Sequence, residues 1–172
     1  MADINIRKLP AGIQSFKTIR EEGYVYVDKS DIVWYLANCG KLFNYLSRPR
    51  RFGKSLLVST LESYFLGKKD LFKGLAIEKM ETEWIQYPVF HIDLSTGNYL
   101  NDGALEEILG GYLSAWEKQY NINNHFTDLG KRFQQVLHQA HIQTGQGAVV
   151  LIDEYDKPIL DVLDLDYHVE HL

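Results

Sequence analysis

Two periodicities run along this chain. Between 54 and 65 the apolar residues Leu57, Leu61, Tyr64 and Phe65 fall at i, i+4, i+7 and i+8, the spacing of one helical face. The same period is clearer in Leu105, Ile108, Leu109, Tyr112, Leu113 and Trp116, and again in Leu129, Phe133, Val136, Leu137 and Ala140. Both stretches predict core-facing helices. A shorter helix carrying Ile32, Val33, Tyr35 and Leu36 is expected after a cap at Asp28 or Ser30, with Gly40 ending it.

Between these helices lie short apolar runs of strand length. Residues 88–94 begin with proline, which a strand tolerates at its first position. Ala148 to Ile152 is uninterrupted and mostly β-branched, the composition of a strand buried on both faces. Leu42 to Leu46 reads as a third buried strand, and Gly23 to Asp28 as a strand or extended arm. Strands alternating with helices predict an α/β fold with a mostly parallel sheet, preceded by an N-terminal approach segment over 1–40 and with its core over 41–172.

The run Ser47-Arg48-Pro49-Arg50-Arg51-Phe52-Gly53-Lys54-Ser55 stands between an expected strand and an expected helix. That is the setting of a phosphate-binding loop, where backbone N–H groups and the helix dipole converge on an anion. In this reading Arg50, Arg51, Phe52, Gly53, Lys54, Ser55 and Leu56 surround the phosphates. Lys54 reaches the β- and γ-phosphates, and Ser55 offers its hydroxyl to Mg²⁺. Arg48 occupies the place of the first glycine in the strict pattern, and Pro49 has no N–H, so the cradle has to be built from Arg51 onward. A helix start that merely follows a basic loop, or a basic loop for nucleic acid, are the competing readings of this segment.

The 148–152 run ends in Asp153-Glu154. At the C-terminal end of a strand in an open α/β sheet, side chains face the crevice where ligands bind. Asp153 is placed to hold Mg²⁺ opposite Ser55, and Glu154 to orient or deprotonate a water attacking the γ-phosphate. Alone, an acidic pair after a strand is more often a solvated turn; the phosphate-loop candidate upstream is what gives it weight.

Composition changes this picture little. The chain has 172 residues, 45% hydrophobic and 24% charged, values typical of a globular protein rather than a disordered one. A formal charge of −5 argues against wrapping of nucleic acid. The single cysteine, Cys39, excludes an internal disulfide. No leader and no apolar run near membrane-spanning length are visible, so a cytoplasmic protein without membrane contact is expected.

Several blocks together resemble a known family. Gly12-Ile13-Gln14-Ser15-Phe16 with Ile19-Arg20, Tyr26-Val27-Asp28-Lys29, Leu46 to Ser55, and Leu151-Ile152-Asp153-Glu154-Tyr155-Asp156-Lys157-Pro158 look like the bacterial AAA-ATPase-like family. The resemblance runs from about Leu9 to Asp161. It implies a P-loop NTPase-like three-layer α/β/α fold, with Lys54 and Ser55 as the Walker A lysine and serine and Asp153 and Glu154 as the Walker B acids. It implies ATP and Mg²⁺ as ligands, and Lys54 and Glu154 as the catalytic pair. An arginine at the position of Arg48 is tolerated in that family. Full-length relatives continue into further ATPase strands and a nuclease-like C-terminal domain, through which nucleic acid could be a partner. The chain ends within twenty residues of Asp153. On this topology it is truncated before the sensor strand, so that weak or absent turnover and self-association through an open strand edge are expected.

Two functions from different classes remain open at this stage. One is a P-loop ATPase domain that hydrolyses ATP in its complete form. The other is a nucleotide-dependent switch or scaffold without turnover, coupled to a nuclease-like domain or to nucleic acid. His138 with His141, and His168 with His171, are pairs at i, i+3 that supply too few ligands for zinc. Asp93 is read as a strand-end carboxylate capping its own loop.

Overall fold

The computed structural model describes residues 8–49, 51–123 and 126–169, with 164–169 described by backbone alone. The chain forms two compact units, Met1–Gln86 and Tyr87–Leu172.

The first unit is helical among its described residues. It holds α1 (Phe16–Glu21), α2 (Ser30–Asn38) and α3 (Lys54–Phe65), followed by two short 3₁₀ turns, Lys69–Phe72 and Ala76–Lys79. Its core gathers Phe16, Val33, Tyr64, Phe72, Leu75 and Ile77. Leu57, Leu61 and Phe65 pack against that cluster, so the stripe on α3 faces inward as its spacing predicts. Rings interlock here: Phe16 and Phe72 centroids lie 4.8 Å apart, and Phe16 meets Tyr26 edge-on at 5.1 Å.

Polar groups fix how the helices enter this core. The Asp28 carboxylate accepts the N–H of Ser30 at 2.9 Å and that of Ala76 at 2.7 Å. The buried Ser30 hydroxyl oxygen accepts the N–H of Ile77 at 3.1 Å. The N-cap position of α2 is Lys29, without a side-chain cap bond, and not Asp28 or Ser30; Asp28, one residue earlier, satisfies the first amide of the helix and also ties that helix to the second 3₁₀ turn. Arg20 donates to the carbonyls of Leu71 and Lys73 at 2.7 and 2.6 Å and holds the first turn against α1. Gly40 has φ +72 just beyond the end of α2, the left-handed conformation that stops a helix.

One strand expectation fails in this unit, and of the two readings of 23–28 the strand is the one not formed. Leu42 to Leu46 is not a buried strand: Leu42 and Phe43 are 92% and 90% exposed. Apolar composition alone does not make a strand. The ladder does, and the first unit contains no strand among its described residues.

The second unit begins with β1 (Val89–Asp93), continues through α4 (Ala104–Gln119) and α5 (Leu129–Thr144) to β2 (Val149–Asp153), and ends in α6 (Lys157–Val169). The strands are parallel, in a register that runs from Val89↔Val149 to Asp93↔Asp153. This is an α/β arrangement with a two-stranded parallel sheet. The stripes of α4 and α5 meet β1 in two clusters, one around Phe90, Leu113, Val136 and Ala140, the other around Ile92, Leu94 and Tyr99. Arg132 on α5 clasps Glu117 on α4 with two hydrogen bonds of 2.8 Å. Asp128 caps α5 by accepting the N–H of Lys131 at 2.8 Å.

β2 is a strand but is not buried on both faces. Val150 and Ile152, paired with Phe90 and Ile92, are 38% and 49% exposed. The helices cover the β1 column of this face and leave the β2 column partly open.

Candidate functional site

The phosphate-loop candidate belongs to the first unit. Arg51 has φ +67 and Gly53 φ +76, and α3 starts at Lys54. Left-handed residues thus stand on either side of Phe52, and turns that contain left-handed residues are the kind of backbone from which anion-binding concavities are made. A positive φ is unusual for a residue with a Cβ, which makes Arg51 a backbone outlier in the middle of the loop. The Gly53 carbonyl accepts the first helical bond, from the N–H of Leu57 at 3.0 Å. The amides of Lys54, Ser55 and Leu56 precede that bond and have no acceptor within the helix.

Gly53 is required for its φ and not for space. A Cβ added there would meet nothing within 4 Å, but the backbone sits where L-residues are strained. Arg51 and Phe52 are exposed, whereas Lys54, Ser55 and Leu56 are half-buried. Arg50 lies outside the described residues.

What holds this loop is the helix behind it. The Phe16 N–H donates to Ser59 Oγ at 3.0 Å, and Tyr26 bonds to Thr60, both on α3. Burial pushes the Tyr26 hydroxyl above its usual value, and the Thr60 bond offsets only part of that rise. The hydroxyls of Thr60 and Ser63 return to the carbonyls of Leu56 and Ser59 at 2.7 and 3.0 Å, so their polar groups are satisfied inside the apolar cluster.

The acidic candidates belong to the second unit. Asp153 closes β2 and is buried, at 7% exposure. Its Oδ1 accepts the N–H of Glu154 at 3.0 Å. Glu154 has φ +50 and is half-buried. Its carbonyl accepts the N–H of Lys157 at 3.0 Å, closing a tight turn between β2 and α6.

Asp93, the register partner of Asp153 at the end of β1, accepts the N–H of Ser95 at 2.8 Å. It caps its own loop, as the sequence suggests. His141 is engaged through Nδ1 with the Gln146 carbonyl at 2.9 Å. Among the described residues no three His, Cys, Asp or Glu side chains gather as a metal set, and no helix is long and apolar enough to cross a membrane.

Sequence reasoning overlooked the surroundings of the acidic turn. Lys157, Gly97 and Tyr99 form a contact that locks the first turn of α6. Its only readable trace is the i, i+4 spacing of Lys157 and Asp161, a spacing common to many helices.

A family model described as "Predicted AAA-ATPase" matches residues 10–171. The chain belongs to the AAA-ATPase-like family. The match takes in both the loop around Gly53 and the turn at Glu154. A relative of this AAA-ATPase-like chain, an "Uncharacterized protein in vnfD 5'region" of Azotobacter chroococcum mcd 1, is 40% identical over 158 residues. That alignment covers 91% of this chain and 30% of the relative, so the chain spans less than a third of the relative's length. No solved structure matches the chain.

Proposed function

We propose that this chain is the ATP-binding part of a P-loop ATPase, with residues 41–172 contributing to a three-layer α/β/α core. The observation that carries the reading is the backbone of the loop: left-handed residues at Arg51 and Gly53 lead directly into the N-terminus of α3. Such a concavity suits a phosphate, because its donors are fixed before the anion arrives and the helix dipole adds to their pull.

In this reading the amides from Arg51 to Leu56 hold the phosphate oxygens and Lys54 places its ammonium against the β- and γ-phosphates. Arg50 and Arg51 add positive charge to the loop sequence. The chemistry of the donor set also fits Mg²⁺: a hydroxyl, Ser55, and a carboxylate, Asp153, are both hard oxygen ligands. When bound, Mg²⁺ neutralises charge that develops on the phosphate oxygens. Glu154 orients the attacking water and accepts its proton, a task suited to a carboxylate whose backbone is held on both sides by hydrogen bonds.

The test is Mg-ATP affinity in Lys54→Ala. Removing the ammonium deletes a charge-assisted contact worth about 1.5–3 kcal/mol, so affinity should fall roughly tenfold or more. Unchanged affinity would overturn the phosphate-loop assignment. A protein that binds Mg-ATP but releases no phosphate, even in a longer version extended beyond Leu172, would favour the non-hydrolysing switch.

A further inference from the structure

We propose that Lys157 is a positioning residue for the Asp153–Glu154 turn, acting through the loop that follows β1 rather than on a ligand. This rests on the ATPase reading for its effect on turnover, but its structural half stands on the second unit alone.

Lys157 is the first residue of α6 and is held at both ends. Its backbone N–H donates to the Glu154 carbonyl at 3.0 Å. Its ammonium donates to the Gly97 carbonyl at 2.9 Å and to Asp161 Oδ2 at 2.6 Å, and lies 5.3 Å from the centre of the Tyr99 ring. An ammonium has three donors. With a carbonyl, a carboxylate and an aromatic face around it, this one is already neutralised, and only 29% of the side chain is exposed. It is therefore a poor candidate for a phosphate ligand and a good candidate for an anchor.

The other side of the anchor is equally specific. Tyr99 is buried and donates its hydroxyl to the Leu94 carbonyl at 2.9 Å, which closes residues 94–99 into a small loop at the end of β1. Gly97 lies so close beneath the Tyr99 ring that a Cβ would come within 2.2 Å of it. Its carbonyl is thus presented at a fixed place, and Lys157 binds there. The chain of restraint runs from β1 through Tyr99 and Gly97 to Lys157, and from Lys157 to the Glu154 carbonyl.

Glu154 needs such a restraint. Its φ of +50 is disfavoured for a residue with a Cβ, and a strained residue persists only where its surroundings over-determine it. Asp153 Oδ1 holds its N–H and Lys157 its C=O. Without the side-chain anchor, the first turn of α6 can unwind and Glu154 can relax to an ordinary conformation, which re-aims its carboxylate.

The experiment compares the parent, in a version extended beyond Leu172, with Lys157→Met and with the milder Asp161→Asn. It measures hydrogen exchange at the amides of Glu154 and Lys157, Mg-ATP affinity and single-turnover phosphate release. Lys157→Met should speed exchange at those two amides about tenfold, leaving the amides of α5 unchanged. Phosphate release should slow about tenfold or more while affinity stays within about twofold, since a misplaced carboxylate costs rate rather than binding. Asp161→Asn should move the same quantities in the same direction by less. In a Glu154→Gln background, Lys157→Met should slow release no further.

Unchanged exchange at the two amides overturns the proposal, and so does a further loss in the Glu154→Gln background or a loss of affinity without faster exchange. If the parent neither binds nor hydrolyses Mg-ATP, the ATPase reading falls. The exchange result then decides by itself whether Lys157 holds the turn.

Discussion

The backbone N–H of Phe16 donates to Ser59 Oγ at 3.0 Å, across 43 residues of sequence. Phe16 is the first residue of α1, where an amide has no acceptor within its own helix, and it is fully buried. The helix that carries Lys54 and Ser55 thus supplies the missing acceptor. Ser59→Ala leaves a buried donor unsatisfied and should destabilise the first unit by about 1–3 kcal/mol. Chemical denaturation checks the size, and hydrogen exchange should show the Phe16 amide among the most strongly affected.

At Gly53 the expected order of stability is glycine, then asparagine, then alanine. The φ of +76 is free for glycine, tolerated by asparagine, and costs alanine about 1–2 kcal/mol. Since a Cβ there meets no protein atom within 4 Å, the penalty is conformational. Gly53→Ala should weaken Mg-ATP binding along with stability, while Gly53→Asn keeps most of the latter. Titrations of the three proteins with Mg-ATP, paired with denaturation curves, separate the two effects.

Gly97 fails for the opposite reason. Its conformation is ordinary, but an added Cβ would sit 2.2 Å from the Tyr99 ring. Gly97→Ala should cost about 1–3 kcal/mol, as overpacking commonly does. In a Tyr99→Ala background most of that cost should vanish, because the two sites share one contact. An additive double mutant would show that the clash is relieved elsewhere.

Glu81 makes the first unit sensitive to acid. Burial would raise its carboxyl pKa, but hydrogen bonds from the Tyr64 hydroxyl and from the backbone N–H groups of Glu83, Thr82 and Trp84 outweigh burial and leave the value lowered. A carboxylate with a lowered folded value contributes stability that is fully present above its unfolded value and is lost as pH falls through the folded one. Stability of the parent should therefore decline on the acid side of the ordinary glutamate range. Glu81→Gln should be less stable near neutrality and should show a shallower decline, read from denaturation midpoints across that range.

Much of this was legible in the sequence where a pattern had one physical meaning. The stripes of α3, α4 and α5 specify helices because only that period gathers those apolar residues on one side. Val149 to Asp153 was recognisable because a β-branched run stopped by carboxylates suits a strand end. Leu42 to Leu46 shows the limit: its composition is that of a strand, but pairing is a property of a neighbour, and a local reading cannot supply one. Exposure of Val150 and Ile152 was hidden for the same reason, since which column the helices cover depends on where they land. In the loop, Gly53 announced itself. The positive φ at Arg51 and at Glu154 did not, because neither residue type favours that conformation.

Glu154 carries one more implication, for anyone who would engineer this chain. Its left-handed backbone is natural for glycine and uncomfortable for glutamate. Glu154→Gly should raise the unfolding free energy by about 1 kcal/mol while removing the carboxylate proposed to work on water. A laboratory selection that rewarded heat resistance alone would drift toward that substitution and return a sturdier protein without the carboxylate on which the proposed ATPase reading depends. At this position durability and chemistry pull in opposite directions, and a screen has to read both at once.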